Sequence, residues 1–329
     1  MNNTTDKKIG VILLNMGGPD SLNAVKPFLR NLFSDRDIIR LPCPAFMQPV
    51  LAQIIASRRA PRSQKYYEMI GGKSPLTDIT MRQAEKLAAA LAVSDIPALC
   101  LVAMRYWYPF ASEAIRTIKQ EKIEKAVALS LYPHYSSVTG GSSIKDLRSA
   151  IEKENADIEL SVIDRFYEHP AYIACLQSRI KKGLDSFAGD EKKRVNIVFS
   201  AHSVPQKLIA GGDTYLNHTE TTFCLVTEKF AEYPCHLAFQ SRSGPVKWLE
   251  PDTARLLDQL LEAGERDFLM VPVSFVSDHV ETLYEMDILY RSQVEKKGGR
   301  LVRTESLNDS DDFIAVLADL VREHLAKGA

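Results

Sequence analysis

Short apolar runs alternate with amphipathic stretches along the whole chain, and this alternation predicts a series of strands and helices. The runs IGVILLN (9–15), ALCLVAM (98–104), KAVALSLYP (125–133), IELSVID (158–164), VNIVFSAH (195–202), CHLAFQ (235–240), DFLMVPVSF (267–275) and RLVRT (300–304) read as strands. Between them, residues 78–92, 142–154, 213–230, 252–264 and 311–327 carry apolar positions at three- and four-residue spacing, the helical signature. Strands apolar on both faces that alternate with helices imply parallel sheets covered by helices, a doubly wound α/β fold. The series runs twice, with a break near DRFYEHPAYIA (164–174). This predicts two similar α/β lobes, 1–165 and 166–329, with a cleft between them and the last helix a candidate to pack back on the first. In such folds ligands bind beyond the carboxyl ends of strands, where the winding direction changes. Five strand ends here lead into aromatic, glycine-rich or ionisable segments: Met16-Gly17-Gly18-Pro19, Arg105-Tyr106-Trp107-Tyr108, His134-Tyr135-Ser136-Ser137, His202-Ser203-Val204-Pro205 and Ser277-Asp278-His279-Val280-Glu281.

Composition narrows the class of function. The 329 residues are 45% hydrophobic and 25% charged, as in a soluble globular protein. Lys and Arg number 41 against 42 acids, so the balance of charge gives no reason to expect nucleic acid. No apolar run reaches the roughly 18 residues of a membrane span. The polar start MNNTTDKK does not read as a signal peptide. Five cysteines (Cys43, Cys100, Cys175, Cys224, Cys235) stand singly, which suits a reducing cytoplasm and argues against a disulfide framework or a thiolate zinc site.

Two phosphate-binding motifs fail on inspection. IGGKSP (70–75) has the GK[ST] ending of a P-loop, but Tyr67 stands where the first glycine belongs and Pro75 where the helix would open. NMGGPD lacks the GxGxxG spacing and reads as a tight turn into a helix capped near Asp20 and Ser21. No nucleotide is therefore expected. Ser200 and Ser203 lack the GxSxG elbow of a serine hydrolase. His202 ends an apolar strand, either bonded to backbone or serving as a base near neutral pH or a ligand for divalent iron. In SDHVET, Ser277 or Asp278 could cap a helix whose first turn favours acids, but a helix start gives no reason for His279. An imidazole and an acid near a second imidazole would make a metal site or a proton relay. MRYWYP (104–109) is either a core anchor with Arg105 in a salt bridge or a wall for a flat anionic ligand. Arg58, Arg59 and Arg62 follow the apolar segment 41–56, and a basic shoulder on an apolar stretch suits a pocket lip or a lipid surface.

Taken in order, LLNMGGPDS, LFSDRDIIRLP, YYEMIGGKSPL, AMRYWYP, LYPHYSSVTGGSS, FSAHSVP, FQSRSGPVKWLEPDT and VPVSFVSDHVETLYE resemble the ferrochelatase family, and the likeness covers most of the chain. The resemblance implies two chelatase-like lobes and an ATP-independent insertion of Fe(II) into a porphyrin, with release of two protons. It makes His202 the proton acceptor or iron ligand and Glu281 its partner for metal or protons, with Asp278 and His279 beside them in the relay. Which of His202 and Glu281 first meets iron, it leaves open. Met16, Tyr67, Arg105, Tyr106 and Tyr135 fall where the family lines its porphyrin pocket, and Arg59 and Ser74 where it holds propionates. No cysteine follows Cys235, so no iron–sulphur cluster and no other tightly bound cofactor are expected. By the same resemblance, Met16, where coproporphyrin users often have tyrosine, points to protoporphyrin IX over coproporphyrin III as the expected substrate. An apolar substrate and product add the expectation of contact with a membrane or a partner enzyme through 41–56. The rival expectations are a cobalt or nickel chelatase acting on a sirohydrochlorin-type ring and a non-catalytic porphyrin or haem carrier. The first would want a more basic cleft, and the second would have no use for His202 and Glu281 together.

Overall fold

The computed structural model describes residues 8–189 and 194–327. The chain divides into two compact units, Met1–Arg165 with Asn308–Ala329 and Phe166–Leu307. The first runs β1 (Ile9–Asn15), α1 (Val25–Ser34), α2 (Gln48–Met69), α3 (Leu76–Val93), β2 (Ala98–Met104), α4 (Ala111–Gln120), β3 (Lys125–Ser130), α5 (Gly140–Lys153) and β4 (Glu159–Ile163). The second runs α6 (Pro170–Leu184), β5 (Asn196–His202), α7 (Gln206–Ala210), α8 (Tyr215–Thr227), β6 (Cys235–Gln240), α9 (Thr253–Glu262) and β7 (Asp267–Pro272). It ends in a π-helix (Glu281–Tyr290), α10 (Arg291–Lys296) and β8 (Arg300–Arg303). The last helix, α11 (Asp311–Lys327), belongs to the first unit and packs on α3.

Each unit holds one four-stranded parallel sheet, ordered β2-β1-β3-β4 in the first and β6-β5-β7-β8 in the second. Counted from the first strand of each unit, the two orders are the same. Each sheet therefore reverses its winding once, between β1 and β3 or between β5 and β7, and a crevice opens beyond the carboxyl ends of those strands. The strands at the switch are buried on both faces, as Val11 to Leu14 and Ile197 to Phe199 show. Two of the apolar runs outlast their strands. β3 stops at Ser130, whose Oγ accepts the Tyr132 N–H at 3.4 Å and turns the chain away. β7 stops at Pro272, which has no N–H to continue the ladder.

Against the second sheet, Val198, Phe268 and Met270 pack on Leu257 and Leu261 of α9, Met286 and Tyr290 of the π-helix, and Val294 of α10. Burying side chains of this size contributes roughly 1.5–3 kcal/mol each. Thr282, Met286, Tyr290 and Val294 face inward at a strict four-residue spacing. A helix bonded from i to i+5 takes more than four residues per turn, so this spacing keeps one face on the sheet. The residues one position earlier, Glu281 and Glu285, then lie together on an adjoining face.

Candidate active site

His202 is the last residue of β5, one of the two strands at the switch in the second sheet. Its backbone is fixed from both sides: the N–H donates to Ser274 Oγ at 2.8 Å, and the Tyr215 hydroxyl donates to its carbonyl at 2.8 Å. The ring bonds to Glu281 rather than to backbone, with Nδ1–H donating to Oε2 at 2.8 Å. A hydrogen on Nδ1 leaves Nε2 with its lone pair free. Among the described residues Nε2 has no partner, and the side chain is 36% exposed.

Glu281 opens the π-helix that follows β7, after residues 273–279 have left the sheet. Its Oε2 also accepts from Ser241 Oγ at 2.9 Å, while Oε1 has no bond to a described residue. Glu285 sits one turn on. Its Oε2 accepts from Gln240 Nε2 at 3.0 Å and lies 2.6 Å from the same Ser241 hydroxyl. Gln240 Nε2 also donates to the Glu281 carbonyl at 3.1 Å, and Gln240 Oε1 accepts from Ser200 at 2.6 Å. Ser241 brings one proton to two carboxylate oxygens, so the trio closes fully only when a further proton is present on one of them.

The electrostatics place that proton. Burial pushes the Glu285 carboxyl up to about 7, and the charge of Glu281 adds to the shift. Burial would raise Glu281 too, but the His202 imidazolium and its hydrogen bond outweigh it, and Glu281 lies below the usual carboxylate range. Burial alone would lower His202. The Glu281 carboxylate reverses this and holds the imidazole above its ordinary 6.5. An acid kept ionised, an acid that takes up a proton near neutral pH and a strengthened base are thus joined by short hydrogen bonds, an arrangement that can accept and pass on protons.

Asp278 and His279 stand beside this group. Asp278 does not cap the following helix, whose N-cap is Val280 with no capping side chain. It is held instead by Arg303 Nη1 at 3.0 Å, Ser306 Oγ at 2.7 Å and Thr282 Oγ1 at 3.0 Å. Arg303, from β8, also pairs with Asp287 of the π-helix at 2.8 Å, so one buried guanidinium ties both sides of the Glu281 segment together. His279 donates from Nδ1 to the Ser277 carbonyl at 3.1 Å, which turns Nε2 towards Glu281 Oε2 at 4.0 Å, beyond hydrogen-bond reach. Burial lowers its pKa and keeps it neutral.

The other expected residues all lie in the first unit. Met16 follows β1, held by its N–H to Asn15 Oδ1 at 2.8 Å and its carbonyl to the Tyr106 N–H at 3.0 Å. Ser74 is buried against Gly18, where any Cβ would collide with its side chain, so a glycine is required there. Tyr67 is buried near the end of α2, and its carbonyl accepts the Gly72 N–H at 2.8 Å. Gly71 and Gly72 both take positive φ, so the segment that imitates a P-loop is a helix exit. Arg59 is exposed on α2, its guanidinium 5.4 Å from the centre of the Phe33 ring. The salt bridge considered for Arg105 forms: Nη2 meets Asp35 at 2.8 Å and Nε donates to Ser142 at 2.9 Å. The Tyr106 hydroxyl donates to the same Asp35 oxygen at 2.6 Å. Burial would raise Asp35, but these donors hold its carboxyl below the usual range. Tyr135 borders an open cavity of about 640 Å³ beside α5.

Sequence reasoning missed Glu285, Ser241 and Gln240. The four-residue step from Glu281 to Glu285, set against the apolar spacing of Met286, Tyr290 and Val294, was the available signal. Gln240 and Ser241 lie within the segment FQSRSGPVKWLEPDT, but nothing there gave Ser241 a role, which follows from the strand β6 ending one residue earlier.

The family model for Ferrochelatase matches residues 8–325. The Ferrochelatase of Geotalea daltonii is 49% identical over 323 residues, 98% of this chain and 99% of that protein. That of Gloeobacter violaceus is 44% identical over 323 residues, 97% of this chain and 98% of its own. Among solved structures, the fold is similar to that of SirB from Bacillus subtilis with Fe3+ (TM-score 0.54, 9% identity, 96% of this chain and 95% of that one). It is also similar to the sirohydrochlorin chelatase SirB from Bacillus subtilis subspecies spizizenii in complex with cobalt (TM-score 0.55, 8% identity, 96% and 94%). At such identities the likeness to these structures is one of fold.

Proposed function

This chain belongs to the ferrochelatase family, and from that premise we propose that it inserts Fe(II) into protoporphyrin IX to give haem. Family membership makes it an enzyme, a metal–porphyrin lyase of haem biosynthesis whose substrates are a porphyrin and ferrous iron. The observation that carries the mechanism is the 2.8 Å bond from His202 Nδ1 to Glu281 Oε2, which leaves Nε2 and Oε1 as the open atoms. The lone pair on Nε2 takes a pyrrole proton, and Glu281 stabilises the imidazolium that forms. Until Nε2 is protonated, the same two open atoms, a neutral imidazole nitrogen and a carboxylate oxygen, suit Fe(II) as it sheds water. Two pyrrole N–H bonds break, iron bonds to those two nitrogens and to the two that carried no proton, and two protons leave. Glu281, Ser241 and Glu285 form the line along which protons depart, with the protonation of Glu285 changing near neutral pH.

A flat macrocycle points its lone pairs inward, so it must bend before a metal can approach from one face. Binding energy from the rest of the ring supplies that strain. Met16, Tyr67 and Tyr135 are assigned to ring contact, and Arg59 and Ser74 to the propionates. Arg105 and Tyr106, whose polar groups close on Asp35, brace the wall from behind. Asp278 and His279 position the Glu281 segment. No cofactor and no iron–sulphur cluster enters this scheme. Met16 supports protoporphyrin over coproporphyrin. The test is anaerobic absorbance with protoporphyrin IX or coproporphyrin III and Fe(II) or Co(II). Haem formation from protoporphyrin IX with Fe(II) is expected to be fastest. A preference for Co(II) and a more carboxylated ring would overturn the reading.

The expected contact with a lipid surface gains support from α2 and the turn before it. Phe46 is 80% exposed, Val50 62% and Ile54 43%, four residues apart, and Arg58, Arg59 and Arg62 follow on the exposed side. No helix among the described residues is long and apolar enough to cross a membrane, so the contact proposed is peripheral, to anionic lipid, by a protein of the cytoplasm. Replacing Phe46 and Val50 together with Asp is expected to cut co-sedimentation with phosphatidylserine-containing vesicles by roughly 10-fold or more, since the change removes buried apolar area and adds like charge. Unchanged binding would reject the patch as the contact.

A further inference from the structure

We propose that Ser241 is a positioning residue for metal insertion: its hydroxyl ties Glu281 to Glu285 and thereby directs Glu281 Oε1, together with His202 Nε2, to the open side of the site. The inference rests on the roles proposed above for His202 and Glu281. Glu281 Oε2 lies 2.8 Å from His202 Nδ1 and 2.9 Å from Ser241 Oγ, so donors from two elements, β5 and the segment after β6, meet on one oxygen. Two donors on one oxygen fix the plane of a carboxylate, whereas one donor leaves it free to swing and exchange its oxygens. Ser241 is itself anchored on its far side, 2.6 Å from Glu285 Oε2. No other bond of its side chain is present among the described residues.

The backbone points the same way. Ser241 has φ +64°, in the left-handed region that a serine enters only at a cost. Gly244, three residues on, also takes positive φ, so the turn accommodates glycine. A chain optimised for stability alone would place glycine at 241 as well. A serine held there against its own preference, with its hydroxyl between two acids, is what a functional requirement leaves behind.

This separates two variants whose stability and activity should move in opposite directions. Ser241→Gly suits the backbone and removes the hydroxyl. Ser241→Thr keeps the hydroxyl but is strained, since a β-branched side chain is poorly tolerated at positive φ. Thermal unfolding and steady-state insertion of Fe(II) into protoporphyrin IX are to be measured for both. Ser241→Gly is expected to melt at or above the parent temperature, with kcat reduced roughly 10- to 100-fold and KM for porphyrin unchanged within about twofold. Ser241→Thr is expected to melt lower yet retain kcat within a few-fold of the parent. Parental kcat in Ser241→Gly would overturn the inference, and so would a Ser241→Thr enzyme as slow as Ser241→Gly. His202→Ala run in parallel separates the two levels: if it is slow while Ser241→Gly is fast, only the role of Ser241 falls. If His202→Ala is itself fast, the underlying reading of the site falls with it.

Discussion

Replacing His202 with Ala is expected to abolish metal insertion while porphyrin binding persists. The imidazole offers an open nitrogen lone pair at the site, and its basicity is raised by the Glu281 carboxylate. A positioned base contributes typically 10²–10⁴-fold, and this one also offers a nitrogen to the metal, so a fall in kcat of about 10³-fold or more is expected. Binding should survive, because the residues assigned to ring contact are all in the first unit and their packing does not involve His202. Porphyrin fluorescence quenching is expected to give a Kd within about threefold of the parent, while no haem band develops with Fe(II). Full turnover by the variant would mean that another group removes the protons. Loss of porphyrin binding would instead assign His202 to holding the ring.

Much of the fold was legible because it rests on local pattern. Strands buried on both faces must be continuously apolar, so β1 and β5 could be read to within a residue. The order of strands could not, since it depends on which side of the sheet each crossover packs. The long helix α2 was also hidden. Its buried face is a narrow stripe of Ala52, Ala56 and Ala60, while Phe46, Val50 and Ile54 are exposed, so the usual contrast between faces is erased. Pro61 lies within it and reads as a breaker. The site divided in the same way. His202 and Glu281 announced themselves as ionisable residues at strand ends. Their pairing across 79 positions, and the convergence of Glu285 and Ser241 on the same oxygen, depend on strand order and on a π-turn that only the assembled unit fixes.

Glu281→Gln tests whether charge at this position, rather than hydrogen bonding alone, drives the chemistry. The amide is nearly the same shape and can still accept from His202, so a role in geometry would be largely preserved. Without the carboxylate, burial is left as the main influence on His202, and the imidazole pKa should fall below 6.5 instead of lying above it. The acid limb of the pH–rate profile is then expected to move to lower pH, with kcat down about 100-fold because the imidazolium formed on proton uptake has lost its counter-charge. Stability gives an independent readout with a defined sign. The raised pKa of His202 stabilises the fold below pH 6.5, and this is lost as pH rises through the folded value. The depressed pKa of Glu281 stabilises it above pH 4.5, and this is lost as pH falls through the folded value. The pair therefore contributes fully between pH 4.5 and 6.5 and fades on either side. With the His202 ring a third exposed, the contribution is about 1 kcal/mol. Thermal unfolding should accordingly show the parent ahead of Glu281→Gln by a larger margin near pH 5.5 than near pH 8.5. A margin that grows towards alkaline pH would mean that the Glu281 carboxylate does not raise the basicity of His202, and the role assigned to its charge would fall.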